Sequence, residues 1–298
     1  MGRFAIEPGA DGARVDQAIA RAVPGLSVTG ARRLLAAGAV RLDGRRARKG
    51  DRVRAGQTLE VDDAQGAAEA PEGRRVTPDP AGPLEVLAVD PDFVAIAKPA
   101  GIPSHPLVAG EIGTAASALV ARFPECAGAS PDAREGGLVH RLDTATSGVL
   151  LAARHPDAWH ALRSALADPG CEKVYLAEVR GDAGPGQSLE PIGRAGRRGA
   201  RVRVGGGRSP LPAHTRWEVL EPRGETTLLR VTLSKGRAHQ VRAHLAAAGH
   251  PIAGDPLYGG EPDGALRLHA SAIRFRHPRD GRTISVEAPP PDWAKIPR

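Results

Sequence analysis

From His140 to Arg154 the sequence reads HRLDTATSGVLLAAR, a polar loop crowded with hydrogen-bonding side chains that feeds directly into an apolar, strand-like run. Loops carried on rigid strands are where reactive groups are commonly held. Asp143 is open to two readings. With Thr144, Thr146, Ser147 and Gly148 behind it, its carboxylate could simply accept backbone N–H bonds in a turn, or it could be the reactive group of a site. Metal chemistry has less support. His239, His244 and His250 share one segment, but on a helix His239 and His244 would stand about 140° apart and could not clamp one ion. Cys126 and Cys171 have no CxxC spacing and no histidine partner pattern, so they read as reduced, structurally incidental thiols.

The elements that must position such a loop follow from periodicity. Strand-like segments recur at 84–89, 93–98, 148–153, 174–179, 215–220 and 227–233, with helical patterns near 114–123, 157–167 and 239–248. Strands outnumber helices and do not alternate with them strictly. The expected class is therefore α+β, with a mixed, mostly antiparallel sheet flanked by helices. Ahead of this lies a smaller unit. Apolar residues at helical spacing predict helices over 15–23 and 28–37, with Ser27 as cap of the second and Gly38 as its end. AVRL, the turn dipeptide Asp43-Gly44, RRARKG and TLEV then read as a hairpin and a last strand. Residues 63–83, rich in Ala, Gly, Pro and acid and without periodicity, read as a flexible linker between a domain at 1–62 and one at 84–298.

Charge separates the two domains. The chain carries a net charge of +7, which favours a polyanionic partner such as nucleic acid. Residues 1–62 hold 12 Lys and Arg against 7 Asp and Glu, so most of the excess sits in about a fifth of the chain. Arg32 and Arg33 on one helix, with Arg41, Arg45, Arg46, Arg48, Lys49, Arg52 and Arg54 around the hairpin, would give this unit a basic face. No apolar run approaches the ~20 residues that span a bilayer, and Met1-Gly2-Arg3-Phe4 lacks the apolar core of a signal peptide. A cytoplasmic monomer with no membrane partner is expected.

Two resemblances sharpen this reading. The run SVTGARRLLAAGAVRLDGRRARKGDRVRAGQTLEV resembles the small RNA-binding domain named after ribosomal protein S-four. HRLDTATSG resembles the HRLDxxTSG signature of the RluA-type pseudouridine synthases, and three more segments match that family in order: AIAKPAGIPSHP, KVYLAEVRG, and SKGRAHQVRAHLAAAGHPIAGDPLYGG followed by LHASAIRFRHP. Two departures stand out. Thr144 and Ala145 follow the aspartate where the family often has a charged residue, and ECAGASPDAREG is a longer link into the signature than usual.

The resemblance implies an isomerase that breaks the bond from ribose to uracil nitrogen, rotates the base and rejoins it through carbon 5, without cofactor or metal. Glycoside hydrolysis normally takes two carboxylates; a rearrangement that keeps its leaving group can manage with one, here Asp143. Burial opposes ionisation of such a group, so an adjacent cation is expected: Arg242 first, Arg237 second. Tyr175 falls in the segment whose tyrosine packs against the target base, whereas Tyr258 is read as a packing residue. A uridine in folded RNA must leave its stack, and Arg141 is the residue implied to take its place. His140, Thr146 and Arg237 complete the expected substrate-binding set with Arg141. Aromatics are 3% of the chain, too few for sequence reading by stacked platforms. The expected partner is RNA, ribosomal RNA first and tRNA second. The competing reading is a non-catalytic RNA-binding or ribosome-assembly protein on the same fold.

Overall fold

In the N-terminal part of the chain two short helices, α1 (Val15–Ala22) and α2 (Val28–Ala37), bury one apolar stripe each, with Val15, Ala18, Ile19, Ala31, Leu34 and Leu35 below a tenth exposed. The structure is a computed structural model and describes residues 2–23, 26, 28–62, 75–108, 110–195, 201–260 and 264–296. The expected Ser27 cap, the Arg33 side chain and linker residues 63–74 lie outside the described residues. The chain divides into two compact units, residues 1–75 with 131–133, and 76–130 with 134–298.

In the first unit the helices cover an antiparallel sheet of β1 (Gly2–Ala5), β4 (Thr58–Val61), β2 (Val40–Leu42) and β3 (Arg45–Arg46), in that order. Gly38, at φ 76°, ends α2 as expected. Its N–H reaches the Leu35 carbonyl and that of Ala39 reaches Leu34, the paired bonds of a left-handed C-cap. Asp43 and Gly44 both take positive φ, the mirror-image turn whose twist suits a tight hairpin. The strand β1 went unforeseen, because four residues of GRFA carry too little alternation to register. Arg32 does not join a free basic face. With Arg14 it binds the buried Asp16, at 2.7 Å and 3.1 Å, and those bonds hold that carboxyl at about 2. The hairpin cations Arg41, Arg45, Arg46, Arg48, Lys49, Arg52 and Arg54 are exposed.

The second unit is built on a nine-stranded sheet. It contains β5 (Glu85–Val89), β6 (Phe93–Lys98), β7 (Ser147–Ala153), β8 (Glu172–Arg180), β9 (Gly186–Ser188), β13 (Thr215–Arg223), β14 (Thr226–Leu233), β15 (Leu268–Arg276) and β16 (Thr283–Glu287). The order is β5-β6-β7-β15-β8-β14-β13-β9, with β16 also on β15. The β7–β15 pair is parallel and the other pairs are antiparallel, so the sheet is mixed and mostly antiparallel. Three helices flank it: α3 (Ala115–Arg122), α4 (Pro156–Ala165) and α5 (Gln240–Ala247).

The alternation of a central strand explains the layering. Phe93 and Ala95 of β6 join one core with Leu162 of α4 and Phe275, while Val94 and Ile96 join another with Leu119 and Val120 of α3. A strand covered on both faces reads as an unbroken apolar run, as FVAIA does. A third core holds Val241 and Leu245 of α5 against Val179, Leu229 and Val231. Val76 is buried in the second core, so packed chain begins there, ahead of residue 84. A separate three-stranded sheet, β11 (Arg201–Val204), β10 (Ile192–Ala195) and β12 (Arg208–Leu211), was not legible as strands. Each strand is only four residues long, and the one alternating run, Arg201–Val204, is too short to stand out among the surrounding glycines and arginines.

Candidate active site

The loop that carries Asp143 is held from below by the segment after β6. Ser104 Oγ accepts the Leu142 N–H at 3.0 Å and donates to the Leu142 carbonyl at 2.8 Å. Lys98, 1% exposed, donates to the carbonyls of Pro99 (2.8 Å), Ile102 (2.7 Å) and Thr144 (3.1 Å). Burial pulls its ammonium down to about 8 against the attraction of Asp143. Downstream, the Thr146 N–H closes a turn onto the Asp143 carbonyl, and β7 starts at Ser147, whose hydroxyl meets His269 Nδ1 at 2.9 Å. Gly148 is obligatory: at φ 116° a Cβ there would lie 2.1 Å from the Ala270 carbonyl oxygen of β15. The glycine lets the loop emerge where β7 and β15 run parallel at their closest.

Asp143 lies in a cleft of about 870 Å³. Seven Lys and Arg side chains line it, and Asp143 is the single carboxylate among its lining residues. Arg242 Nη1 meets Asp143 Oδ2 at 2.9 Å. The other edge of that guanidinium is taken by Asp255, with Nε and Nη2 each at 2.8 Å from one carboxylate oxygen, a two-pronged geometry that fixes orientation as well as charge. The Tyr258 ring covers one face, 5.4 Å from the guanidinium carbon. Burial works against the charges of both Arg242 and Asp255. Their mutual bonds outweigh it, raising the arginine and lowering the aspartate, which also accepts N–H bonds from Leu257 and Tyr258. Arg242 is thus a fixed cation with one donor reserved for Asp143.

The other expected residues divide. Tyr175, on β8, lines the same cleft, and burial first, Asp143 second, push its phenol well above the ordinary range. It stays protonated at neutral pH. Arg141 is exposed and Thr146 buried on the cleft wall. Arg237 lines the cleft but spends Nε on the Pro212 carbonyl, at 3.3 Å, and among the described residues makes no ion pair with Asp143. His140 is half-buried and accepts the Leu151 N–H through Nε2 at 3.1 Å. Burial, then Lys173 and Arg163, depress it to about 3, so the ring is neutral and partly structural.

A pH effect on stability follows. His140 protonates more readily unfolded, near 6.5, than folded, near 3. Its contribution is complete above 6.5 and is lost as pH falls towards 3. Allowing for solvent screening of a half-buried ring, His140→Gln should remove roughly 2 kcal/mol of the stability lost between pH 7 and pH 4. Urea midpoints of the two proteins at both pH values measure this, and equal losses would refute it.

Among the described residues, Asp90, Asp92 and His277 have the spacing to hold a cation. Arg282 and Arg279 are already paired with those carboxylates, so the cluster fits a salt-bridge network better than a metal. The helical-wheel argument does not describe His239, which precedes α5 in the left-handed conformation, at φ 55°. Its Nε2 lies 3.7 Å from Asp143 Oδ2. His244 turns elsewhere, to Thr215 Oγ1 and the Glu190 carbonyl.

Residues 92–247 match the family model described as RNA pseudouridylate synthase, and residues 13–59 match the S4 domain. An uncharacterized RNA pseudouridine synthase of Mycobacterium bovis is 36% identical over 96% of this chain and 93% of its own. The chain belongs to the RNA pseudouridylate synthase family. A ribosomal large subunit pseudouridine synthase D of Xanthomonas campestris is likewise 36% identical to the synthase, over 97% of this chain and 89% of that one. The solved structure of human RNA pseudouridylate synthase domain containing 1 superposes with a TM-score of 0.57 at 27% identity, covering 71% of this chain and 85% of its own. The synthase is accordingly an isomerase, and its α+β fold is that of its family. None of its described helices is long and apolar enough to cross a membrane.

Lys98 and Asp255 do not stand out in the sequence, where His239 reads only as an unsuited metal ligand and Tyr258 only as a packing residue. Each carried a faint signal: a lysine closing an apolar strand, an aspartate inside a Gly-Asp-Pro turn, and a histidine and tyrosine at the two ends of the segment that holds Arg242.

Proposed function

We propose that Asp143 is the reacting carboxylate of the synthase and that Arg242 and Tyr175 act with it on an extruded uridine. The observation that carries this is the 2.9 Å contact from Arg242 to one oxygen of Asp143, inside a cleft whose other charges are cationic. Arg242 keeps Asp143 anionic and oriented, leaving Oδ1 to face the nucleotide. The Tyr175 ring packs against the base, and its phenol, protonated at neutral pH, donates rather than abstracts. The proton that carbon 5 loses and the one that nitrogen 1 gains balance, so no co-reactant is needed. Arg141, exposed beside the cleft, fills the gap left in the RNA stack. His140, Thr146 and Arg237 shape the wall that receives the nucleotide, and the exposed Arg194 and Lys235 meet phosphates. The target is ribosomal RNA, acted on by a monomer in the cytoplasm; tRNA is second. The names of relatives such as the Xanthomonas campestris protein and the basic hairpin of the first unit support the ribosomal target.

Mapping pseudouridines in cells with and without the gene tests target and activity together. Loss of a ribosomal site is the expected result, and an unchanged map in every RNA class would overturn the proposal. The basic hairpin is tested through salt. Replacing Arg45, Arg46 and Arg48 with Gln should lower the slope of log affinity against log salt by roughly 0.7–0.9 for each phosphate that these side chains neutralise. An unchanged slope would remove the hairpin from the RNA interface.

A further inference from the structure

His239 is placed by an uncommon backbone conformation. Left-handed backbone is rare outside glycine, though histidine takes it more often than most residues, and His239 adopts it, at φ 55° and ψ 18°, immediately before α5. The conformation turns the ring into the cleft, where its two nitrogens meet different partners. Nε2 lies 3.7 Å from Asp143 Oδ2, and Nδ1 lies 3.0 Å from the Tyr258 hydroxyl.

That hydroxyl is itself constrained. It accepts the Val202 N–H of β11 at 2.9 Å, and among the described residues its only other hydrogen-bond partner is His239 Nδ1. A phenol has one proton to give, and with its oxygen already accepting the Val202 N–H, Nδ1 is the acceptor within reach of that proton among the described residues. The other ring nitrogen leads to the same tautomer. A bare Nε2 would aim a lone pair at a carboxylate, whereas an Nε2–H aims a donor. Burial lowers the pKa of His239, opposed by Asp143 and Asp255 and reinforced by Arg242 and Arg141, so the ring is neutral and tautomer is the variable that matters.

We propose that Tyr258 locks His239 in the Nε2–H tautomer, making His239 a positioning residue that gives Asp143 Oδ2 a second donor beside Arg242. The proposal rests on the reading of Asp143 given above. The distance of 3.7 Å is longer than a hydrogen bond, and such contacts tighten when substrate closes a site. With both donors on Oδ2, Oδ1 is the oxygen left to react. The same hydroxyl ties β11 to the carboxylate, and Arg201 of that strand stands over the Tyr258 ring, 5.6 Å from its centroid. The arginine-rich small sheet and Asp143 are therefore joined by three consecutive polar contacts.

The test uses the full chain labelled with nitrogen-15 at histidine, and a transcript on which it forms pseudouridine. In the RNA-free protein the His239 signals, assigned by their loss in His239→Asn, should show a protonated Nε2 and a bare Nδ1 at neutral pH. Tyr258→Phe keeps the ring over Arg242 and removes the hydroxyl. It should give a mixture of tautomers, lower kcat about tenfold and leave KM for the transcript within about twofold. A bare Nε2 in the native protein overturns the proposal, as does a Tyr258→Phe protein with the native tautomer or native kcat. The tautomer is read without RNA or turnover, so it can fail while Asp143 remains essential. Conversely, turnover by Asp143→Asn would end the reading of the aspartate whatever the histidine shows.

Discussion

Asp143→Asn is expected to fold, to bind RNA with near-native affinity and to form no pseudouridine. The substitution removes one charge and almost no volume, and it keeps an oxygen that can accept from Arg242 Nη1. Arg242 itself stays in place because its Nε and Nη2 remain on Asp255. Nothing else lining the cleft can substitute, since Asp143 is the single carboxylate there. Loss of a group on which the bond-breaking step depends should cost at least about 10³-fold in kcat, with the thermal midpoint nearly unchanged. Single-turnover assays on a transcript carrying the mapped site give the rate, and filter binding gives the affinity. Residual turnover within about tenfold of the native enzyme would rule out the aspartate as the reacting group and make Arg242–Asp143 a structural pair.

The fold was legible where periodicity is strong and illegible where it is weak. The helices 15–22, 28–37 and 115–122 and the strands around 93–98 and 226–233 follow directly from apolar spacing. The strands of 192–211 do not, because each is only four residues long and set among glycines and arginines, and the pairing of β10 relies on close backbone approach. At Gly193 a Cβ would stand 2.4 Å from the Gly206 carbonyl oxygen. The site divides the same way. Asp143, Tyr175 and Arg242 are expected from segments with a recognisable order, and the structure brings all three to one cleft. Asp255 and the Tyr258 hydroxyl act on Arg242 and His239 from a turn that sequence marks only as a turn. Arg237, the second cation expected beside Asp143, lies five residues before Arg242 across the entry to α5 and sends its Nε to Pro212 instead. Which of two nearby arginines meets the carboxylate is decided by helix phase and by Asp255, neither of which a linear motif displays.

Arg242→Met should be the most destabilising single change at the site, and the double substitution Arg242→Met with Asp255→Leu should separate stability from catalysis. Asp255 is fully buried, and its charge is held by Arg242. Removing the arginine alone strands a carboxylate in the interior, at a cost of about 3–5 kcal/mol. Replacing both partners with apolar side chains of similar volume removes the stranded charge, and buried ion pairs exchanged in this way are often neutral in stability. The double variant should therefore recover most of the thermal midpoint lost by Arg242→Met. Activity should not return, because Asp143 still lacks the Nη1 donor that sits 2.9 Å away in the native protein. Midpoints and single-turnover rates measured on the two variants give the answer. Recovery of turnover together with stability would mean that Arg242 serves the fold alone, and that Asp143 needs no fixed cation beside it.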